Sequence, residues 1–353
     1  MNRAQSFKFS NCSVGEGYPP FIVAEMSGNH NQSLDRALEI VDAVAKTGAH
    51  AIKLQTYTAD TMTLNLNERE FRIDDPESLW NGESLYQLYE KAHTQWEWHK
   101  PIYDRCKRNN LICFSTPFDE TAVDFLESLD NPIYKVASFE NTDLPLIRKI
   151  ASTGKPIIIS TGMATLSELD ETVRTARESG CKHIVLLKST SNYPASPENS
   201  NVATIAHLRG LFNCQIGLSD QTLGIGVSLA SIPFGATVIE KHFTLSRSDG
   251  GVDSAFSLEP EEFKTLVLES NRAWKAIGKI HYGISKSEEK SLKFRRSIYI
   301  SKKIRKGEIF SKENIRCIRP GFGLPPKYFE TVLGKRCRRD IEKGTPISWE
   351  LLE

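Results

Sequence analysis

Short apolar runs alternate with longer amphipathic segments over the first 245 residues of the chain. Eight of these runs have the length and apolar character of buried β-strands, at residues 21–26, 51–56, 111–116, 133–138, 156–161, 183–190, 215–220 and 237–243. Segments with helical periodicity separate most of them, such as 33–48 and 167–180, the second predicted to begin at the N-cap Ser167 and to end at Gly180. Apolar strands that alternate with helices are typical of a parallel sheet covered on both faces.

Eight strand–helix units in this length predict an α/β fold, the (β/α)₈ TIM barrel. A doubly wound sheet is the alternative, but it favours a glycine-rich G-x-G-x-x-G turn after the first strand, and FIVAEMSGNH at 21–30 has none. The connection at 58–88 is long and rich in Asn, Asp and Glu. We expect it to form an insertion over the mouth of the barrel.

The pattern changes after residue 290 to short β runs with Lys-Gly turns. Residues 304–315 resemble residues 341–352 at a spacing of 37, which predicts a compact β-rich domain built from two similar halves. The predicted domains are therefore a barrel over 1–285 and a small domain over 291–353.

The net charge of +1 conceals an uneven distribution. Residues 291–353 have sixteen Lys or Arg against seven Asp or Glu, a net charge of +9, and the first 290 residues have −8. A basic domain favours an anionic ligand or an acidic protein surface, and no nucleic-acid-binding motif accompanies it. The seven scattered cysteines indicate reduced thiols, and the absence of a signal peptide or a long apolar run predicts a cytoplasmic protein without a membrane partner.

Each predicted strand ends in polar side chains, as in VIEKHF at 238–243, where Glu240, Lys241 and His242 follow two apolar residues without a turn. In a barrel all eight ends meet at one face, where TIM-barrel enzymes carry their sites. Two lysines and five hydroxyl side chains suit a phosphate monoester: Lys53, Lys135, Thr116, Ser138, Ser160, Ser191 and Ser219. The alternative for each single residue is plain solvation, or a local backbone hydrogen bond, where the strand leaves the core.

Carboxylates and one histidine add to this polar ring. Glu25 at the first strand end is a candidate acid, base or sugar-hydroxyl acceptor. His242 with Glu240 two residues earlier is either a hydrogen-bonded histidine or a metal ligand. Phosphate-binding cations, carboxylates and a possible metal indicate condensation or lysis around a phosphorylated substrate.

Nine motifs resemble those of the sialic acid synthase family, and they follow in order over nearly the whole chain. They are AEMSGNHN (24–31), KLQTYTAD (53–60), FSTPFD (114–119), YKVASFE (134–140), STGMAT (160–165), TSNYP (190–194), GLSDQT (217–222), IEKHFTL (239–245) and RPGFG (319–323). These enzymes condense phosphoenolpyruvate with an amino-sugar to nonulosonic acids, and the tail resembles their antifreeze-like (SAF) domain. AEMSGNH, ASFE and GGVDSAFSLEP (250–260) resemble the pseudaminic acid synthases in particular.

The resemblance implies roles for individual residues. The phosphoenolpyruvate site comprises Lys53, Thr116, Lys135, Ser138, Ser160, Ser191 and Ser219, and the sugar site comprises Glu25, Gln55, Glu140, Tyr193, Asp253 and Arg319. Arg319 would come from the partner subunit, because the tail of one protomer covers the barrel of the other in a domain-swapped homodimer. Glu25, Lys53, Lys135 and His242 are the implied catalytic residues.

The implied metal site contains the one important departure from the family pattern. The family usually pairs the histidine of IEKHF, here His242, with a histidine in G-x-S-D-H-T, where this chain has Gln221. An amide oxygen suits Mn²⁺ or Mg²⁺ better than softer metals, although it is a weaker ligand than imidazole.

The implied reaction joins C3 of phosphoenolpyruvate to the aldehyde of 2,4-diacetamido-2,4,6-trideoxy-L-altrose, after which water adds at C2 and phosphate leaves. The same chemistry on N-acetylmannosamine or a legionaminic acid precursor is one alternative. A Schiff-base aldolase using Lys53, Lys135 or Lys188 is another, and a non-catalytic binding protein related to ice-binding domains is the most distant.

Overall fold

The computed structural model describes residues 5–76 and 78–353, and the chain divides into two compact units, Met1–Gly278 and Lys279–Glu353. All eight predicted strands form, within one or two residues of the predicted bounds, and close into a parallel barrel in the order β10-β3-β4-β5-β6-β7-β8-β9. The strands of the first unit are β1 Phe7–Phe9, β2 Cys12–Val14, β3 Phe21–Glu25, β4 Ala51–Thr56, β5 Ile112–Pro117, β6 Tyr134–Val136, β7 Ile157–Ser160, β8 Ile184–Ser189, β9 Gln215–Asp220 and β10 Val238–His242. The predicted TIM barrel is confirmed.

Amphipathic helices cover the outside of the barrel and bury their apolar faces against it. The helices of the first unit are α1 Leu34–Thr47, α2 Ala59–Met62, α3 Leu85–Ala92, α4 Trp96–Arg108, α5 Glu120–Glu127, α6 Leu144–Ser152, α7 Leu166–Glu178, α8 Thr204–Phe212, α9 Gly226–Ser231 and α10 Pro260–Ile277. Of these, α2 and α3 lie in the long connection after β4, and the others pack against the barrel. None of the helices in the described residues combines the length and apolar character needed to cross a membrane.

The predicted N-cap of α7 is wrong. Thr165, not Ser167, caps this helix: its side chain accepts a hydrogen bond from the Glu168 backbone N–H, and the Glu168 carboxylate accepts one from the Thr165 backbone N–H. This reciprocal capping box satisfies two N–H groups that would otherwise lack partners, so the helix begins at Leu166.

Alternate strand residues point into the barrel, where the lower layers are apolar and the upper layer is polar. On β10, Val238 belongs to the apolar interior cluster, and Glu240 and His242 follow above it at the same alternation. The hairpin of β1 and β2 adds Phe9 and Val14 to that cluster. Position 217 has room only for glycine, because a Cβ there would collide with the Val238 carbonyl oxygen.

The second unit contains the antiparallel pair β11 Ser297–Ile300 and β12 Ile315–Ile318 and the short helix α11 Phe329–Val332. Its two sequence repeats pair with each other: an antiparallel bridge joins Ile304 to Ile341, which are equivalent positions of the repeat. Both isoleucines lie in the unit's own apolar core. The internal repeat therefore corresponds to two halves that share one core.

Candidate active site

A cavity of about 470 Å³ opens at the C-terminal ends of the barrel strands. Its lining includes most of the polar residues predicted from the strand ends: Glu25, Lys53, Gln55, Lys135, Ser138, Glu140, Ser160, Ser191, Tyr193, Ser219, Gln221, His242 and Asp253. They converge because every second residue near the C-terminal end of each strand points toward the barrel axis. The loops that follow the strands bring further residues to the same face: Ser138, Glu140, Ser191, Tyr193, Gln221 and Asp253.

Lys53 lies at the centre of the charged groups. Its Nζ is 2.6 Å from Glu25 Oε2 and 3.7 Å from Glu240 Oε1, and it donates a hydrogen bond of 3.2 Å to Thr116 Oγ1. Burial disfavours the charged ammonium, but Glu240 and Glu25 outweigh burial and raise the pKa of Lys53 above its usual value. Lys53 is therefore a buried cation throughout the physiological pH range.

Lys135 is the second buried cation and has weaker partners. Its Nζ donates hydrogen bonds of 2.6 Å to Ser160 Oγ and 2.9 Å to the Val136 carbonyl oxygen. Burial lowers the pKa of Lys135 to about 8, an effect that Glu240 only partly offsets. A bound anion would restore the charge of this side chain.

Hydroxyl groups surround the space beside Lys135. Ser138 Oγ lies 3.1 Å from Ser189 Oγ, and the buried Ser191 Oγ has no hydrogen-bond partner among the described residues. Gly162 leaves this space open, because a Cβ at that position would collide with the hydroxyls of Ser191 and Ser138. A free buried hydroxyl beside a cation suits an oxyanion such as a phosphate.

Glu25 is held in place from two sides. Its Oε1 accepts hydrogen bonds from the Ser27 backbone N–H at 3.1 Å and from Gln55 Nε2 at 3.2 Å, and the Ser27 hydroxyl donates to Asp253 Oδ2. Burial raises the pKa of Glu25 to about 7, against the opposing effect of Lys53. A carboxyl group with a pKa near neutrality can both accept and return a proton.

The cavity lining also contains the carboxyl groups of Glu140 and Asp253. Burial raises the pKa of Glu140 to about 7 and that of Asp253 to about 6. Glu140 Oε2 is buried and has no hydrogen-bond partner among the described residues. Both groups are therefore available as acceptors for the hydroxyl or amide groups of a polar substrate.

Gln221 and His242 lie side by side, because β9 and β10 pair Asp220 with Lys241 one residue earlier on each strand. The buried atoms Gln221 Oε1 and His242 Nδ1 have no hydrogen-bond partner among the described residues. Ser219 Oγ accepts a 2.9 Å hydrogen bond from Gln221 Nε2, which leaves the amide oxygen as the free atom. The described residues contain no cluster of three His, Cys, Asp or Glu side chains suited to a metal, but one amide oxygen and one imidazole nitrogen fit two positions of a hard divalent cation.

Three predicted residues lie elsewhere. Thr116 does not line the cavity but contacts Lys53 behind it. Lys188, a Schiff-base alternative, is also absent from the lining, and its Nζ donates to the Ser189 carbonyl oxygen and to Thr190 Oγ1. Arg319 belongs to the second unit, where it follows β12 directly.

One whole side of the cavity was not predicted from the sequence. Residues 57–92 supply an apolar wall, which we define as Tyr57, Met62, Ile73, Trp80, Leu85, Leu88, Tyr89 and Ala92. The predicted insertion over the barrel mouth is thus confirmed, but its lining residues were not predicted. Ser27 was also missed, and its only signal is the position two residues after the end of β3.

The fold and the cavity define a TIM-barrel protein with a polar site at the C-terminal strand ends, the place where barrel enzymes bind substrate. Residues 40–282 match the NeuB family and residues 295–353 match the SAF domain. The chain belongs to the NeuB family.

Individual relatives match over most of the chain. It is 43% identical to the pseudaminic acid synthase of Campylobacter jejuni strain 81-176 over 93% of this chain and 95% of that one. The pseudaminic acid synthase of Helicobacter pylori is 42% identical over 95% of this chain and 98% of that one. The crystal structure of N-acetylneuraminic acid synthetase from Leptospira borgpetersenii in complex with citrate has a TM-score of 0.73 and 29% identity, and the match covers 83% of this chain and 96% of that one.

Proposed function

We propose that this chain is a pseudaminic acid synthase, which condenses phosphoenolpyruvate with 2,4-diacetamido-2,4,6-trideoxy-L-altrose and releases phosphate. The observation that carries the proposal is one cavity that combines two buried lysines, a free serine hydroxyl and carboxyl groups with pKa values near neutrality. The identity of 42–43% to two synthases of this name supports the choice of sugar.

Phosphoenolpyruvate would lie against Lys53 and Lys135. Both ammonium groups stabilise negative charge on the phosphate as it leaves, and Ser138, Ser160 and Ser191 donate hydrogen bonds to its oxygens. Lys135 is better placed than Lys53 to bind the phosphate, because its acceptors are a hydroxyl and a backbone carbonyl rather than a carboxylate.

The sugar aldehyde would lie between Glu25 and the pair Gln221 and His242. A divalent cation held by Gln221 Oε1 and His242 Nδ1 would supply Lewis-acid polarisation of the aldehyde. Glu25 moves a proton at the new C4 hydroxyl oxygen or at the water that adds to C2, because its pKa of about 7 permits both directions. The rest of the sugar forms hydrogen bonds with the side chains of Gln55, Glu140, Tyr193 and Asp253.

The second unit would complete the site in a homodimer. The charge of +9 on residues 291–353 is complementary to the −8 of the first 290 residues, which supports docking of one protomer's SAF domain over its partner's barrel with Arg319 on the sugar. Subunit mixing tests this arrangement. An inactive Lys53→Met chain and an Arg319→Ala chain should together regain activity, because one of the two mixed sites would contain neither substitution.

The experiment for the proposed function is phosphate release from phosphoenolpyruvate with Mn²⁺ and three sugars assayed side by side. The sugars are the trideoxy diacetamido-altrose, its legionaminic acid precursor isomer and N-acetylmannosamine. Release with the altrose derivative in clear preference is the expected result. Preference for another sugar would contradict the pseudaminate assignment, and no release with any of the three would contradict the reaction itself.

A Schiff-base aldolase is the second candidate, and the lowered pKa of Lys135 favours it. Borohydride reduction in the presence of substrate distinguishes the two. The synthase reaction predicts no covalent adduct by mass spectrometry, whereas the aldolase predicts a reduced adduct on Lys135.

A further inference from the structure

The two sides of the cavity differ in chemistry. The floor, formed by the strand ends and the loops that follow them, carries both lysines, the carboxyl groups and the hydroxyls, with Phe118, Phe139 and Val252 as apolar residues among them. The apolar wall comes from a single stretch, residues 57–92, and Ser78 is the one small polar residue that the described part of this stretch adds to the lining. A substrate that fits this cavity therefore needs one polar end and one apolar end.

Contacts within the protein hold the wall in place. Leu85, Leu88, Tyr89 and Ala92 are spaced i, i+3, i+4 and i+7, so that one face of α3 lies along the cavity. Gly28 packs closely against this helix, since a Cβ there would lie 3.1 Å from Ala92 Cα. The aromatic rings of Tyr57 and Tyr89 meet edge to face at 5.8 Å.

Ile73 and Trp80 are fixed by backbone hydrogen bonds. The Ile73 N–H donates to the Glu83 carbonyl oxygen at 2.9 Å, and the Ile73 carbonyl oxygen accepts from the Gly82 N–H at 2.7 Å. Trp80 Nε1 donates to the Val252 carbonyl oxygen at 3.2 Å, which ties the wall to the loop that carries Asp253. The exposed Leu64 of the same stretch does not line the cavity.

The sugar of the proposed function has a matching apolar end. Its C6 is a methyl group, whereas common hexoses carry a hydroxymethyl group there. The aldehyde at C1 must reach the floor, because the phosphate-binding lysines and the pair Gln221 and His242 lie there. The opposite end of the open-chain sugar, which carries the C6 methyl group, would therefore lie against the apolar wall.

We propose that the apolar wall receives the C6 methyl group and so selects 6-deoxy sugars over their 6-hydroxy counterparts. This inference rests on the proposed function and adds to it the residues that determine specificity. Apolar pockets discriminate against an added hydroxyl by up to about 10²-fold, so the wild-type preference in kcat/KM should be about 10- to 100-fold.

Ile73 offers a matched pair of variants for the test. Thr and Val have nearly the same shape, and both keep the β-branched side chain that Ile73 has. The comparison of Ile73→Thr with Ile73→Val therefore isolates the effect of one hydroxyl in the wall. Leu85→Asn provides a second polar substitution, and Leu64→Asn is its control at an exposed position outside the cavity.

The measurement is kcat/KM for two sugars that differ only in the C6 hydroxyl, with phosphate release as the readout. Ile73→Thr and Leu85→Asn should each reduce the preference for the 6-deoxy sugar at least 5-fold relative to Ile73→Val and Leu64→Asn. Thermal melts identify any variant that fails to fold, and the other polar substitution then decides.

Each outcome has one meaning. Equal preference ratios in all folded variants, with activity retained, would overturn the inference and leave the proposed function intact. A wild-type enzyme that releases phosphate with neither sugar would overturn the proposed function and the inference with it.

Discussion

Two buried ion clusters on neighbouring strands show how this barrel separates structure from chemistry. Lys241 and Asp220 point outward, and both side chains are completely buried, 3.1 Å apart. The Asp220 carboxylate accepts hydrogen bonds from Thr222 and Ser228, and Lys241 Nζ donates to the Thr222 carbonyl oxygen at 2.6 Å. Every charge of the outward cluster is satisfied within the protein.

The inward cluster around Lys53 is arranged differently. Glu240 Oε2, Gln221 Oε1 and His242 Nδ1 are buried and lack hydrogen-bond partners among the described residues. A buried polar atom without a hydrogen-bond partner costs about 1–3 kcal/mol. Several such atoms at one place therefore indicate a ligand-binding site. Both clusters are buried, so burial does not distinguish the structural ion pair from the functional one. What distinguishes them is whether their buried polar atoms have hydrogen-bond partners.

Loss of the outward ion pair of Lys241 and Asp220 should have the greatest consequence. Lys241→Met should lower the free energy of unfolding by about 3–5 kcal/mol, because Asp220 is left as an unpaired buried charge. Urea unfolding of the barrel measures it. The double variant Lys241→Met/Asp220→Asn removes both charges and should recover most of the loss. Equal destabilisation in the single and double variants would contradict this explanation.

Breaking the inward cluster should affect turnover instead. We expect Lys53→Met to lower kcat/KM for phosphoenolpyruvate by about 10²- to 10³-fold, because a cation beside the leaving phosphate is lost. Its melting temperature should fall less than that of Lys241→Met. Phosphate release at saturating sugar measures the first effect, and a melt of the same samples measures the second. A variant that melts early but keeps its kcat/KM would reverse the assignment of the two clusters.

The proposed metal position depends on the amide oxygen of Gln221. Gln221→His should raise the affinity for Mn²⁺ by about tenfold, because imidazole is the stronger ligand. Electron paramagnetic resonance of free Mn²⁺ measures binding without substrates. His242→Gln is the matched control and should weaken binding. Unchanged affinity in both variants would place the cation elsewhere.

Lys135 should produce a modest pH dependence. Burial lowers its pKa to about 8, so its positive charge is present below pH 8 and is lost as the pH rises. In the free enzyme kcat/KM for phosphoenolpyruvate should fall above pH 8, by at most about tenfold per pH unit. Lys135→Arg keeps the charge and should remove this decline. An unchanged alkaline limb in that variant would assign it to another group.

The barrel was predictable from sequence because its strands are buried on both faces and read as continuous apolar runs. The polar ring was predictable from the same runs, because Glu25, Lys53 and His242 are polar residues that interrupt them near their ends. The hairpin of β1 and β2 was not, because two strands of three residues carry no periodicity.

Other features depend on contacts that the sequence does not display. The N-cap of α7 was misassigned although T-L-S-E at 165–168 contains the capping-box spacing, since both Thr165 and Ser167 satisfy the simpler cap rule. The apolar wall depends on residues 57–92 folding back over the strand ends, and nothing local distinguishes the lining Ile73 from the exposed Leu64.

That wall also bears on how the protein could change over evolutionary time. One contiguous stretch of about thirty-five residues forms it, whereas the floor draws on all parts of the barrel. Insertions and substitutions within a single connection leave the strands and their register untouched. A lineage could therefore acquire a new sugar preference by altering this one segment while inheriting the carbon–carbon bond-forming apparatus whole.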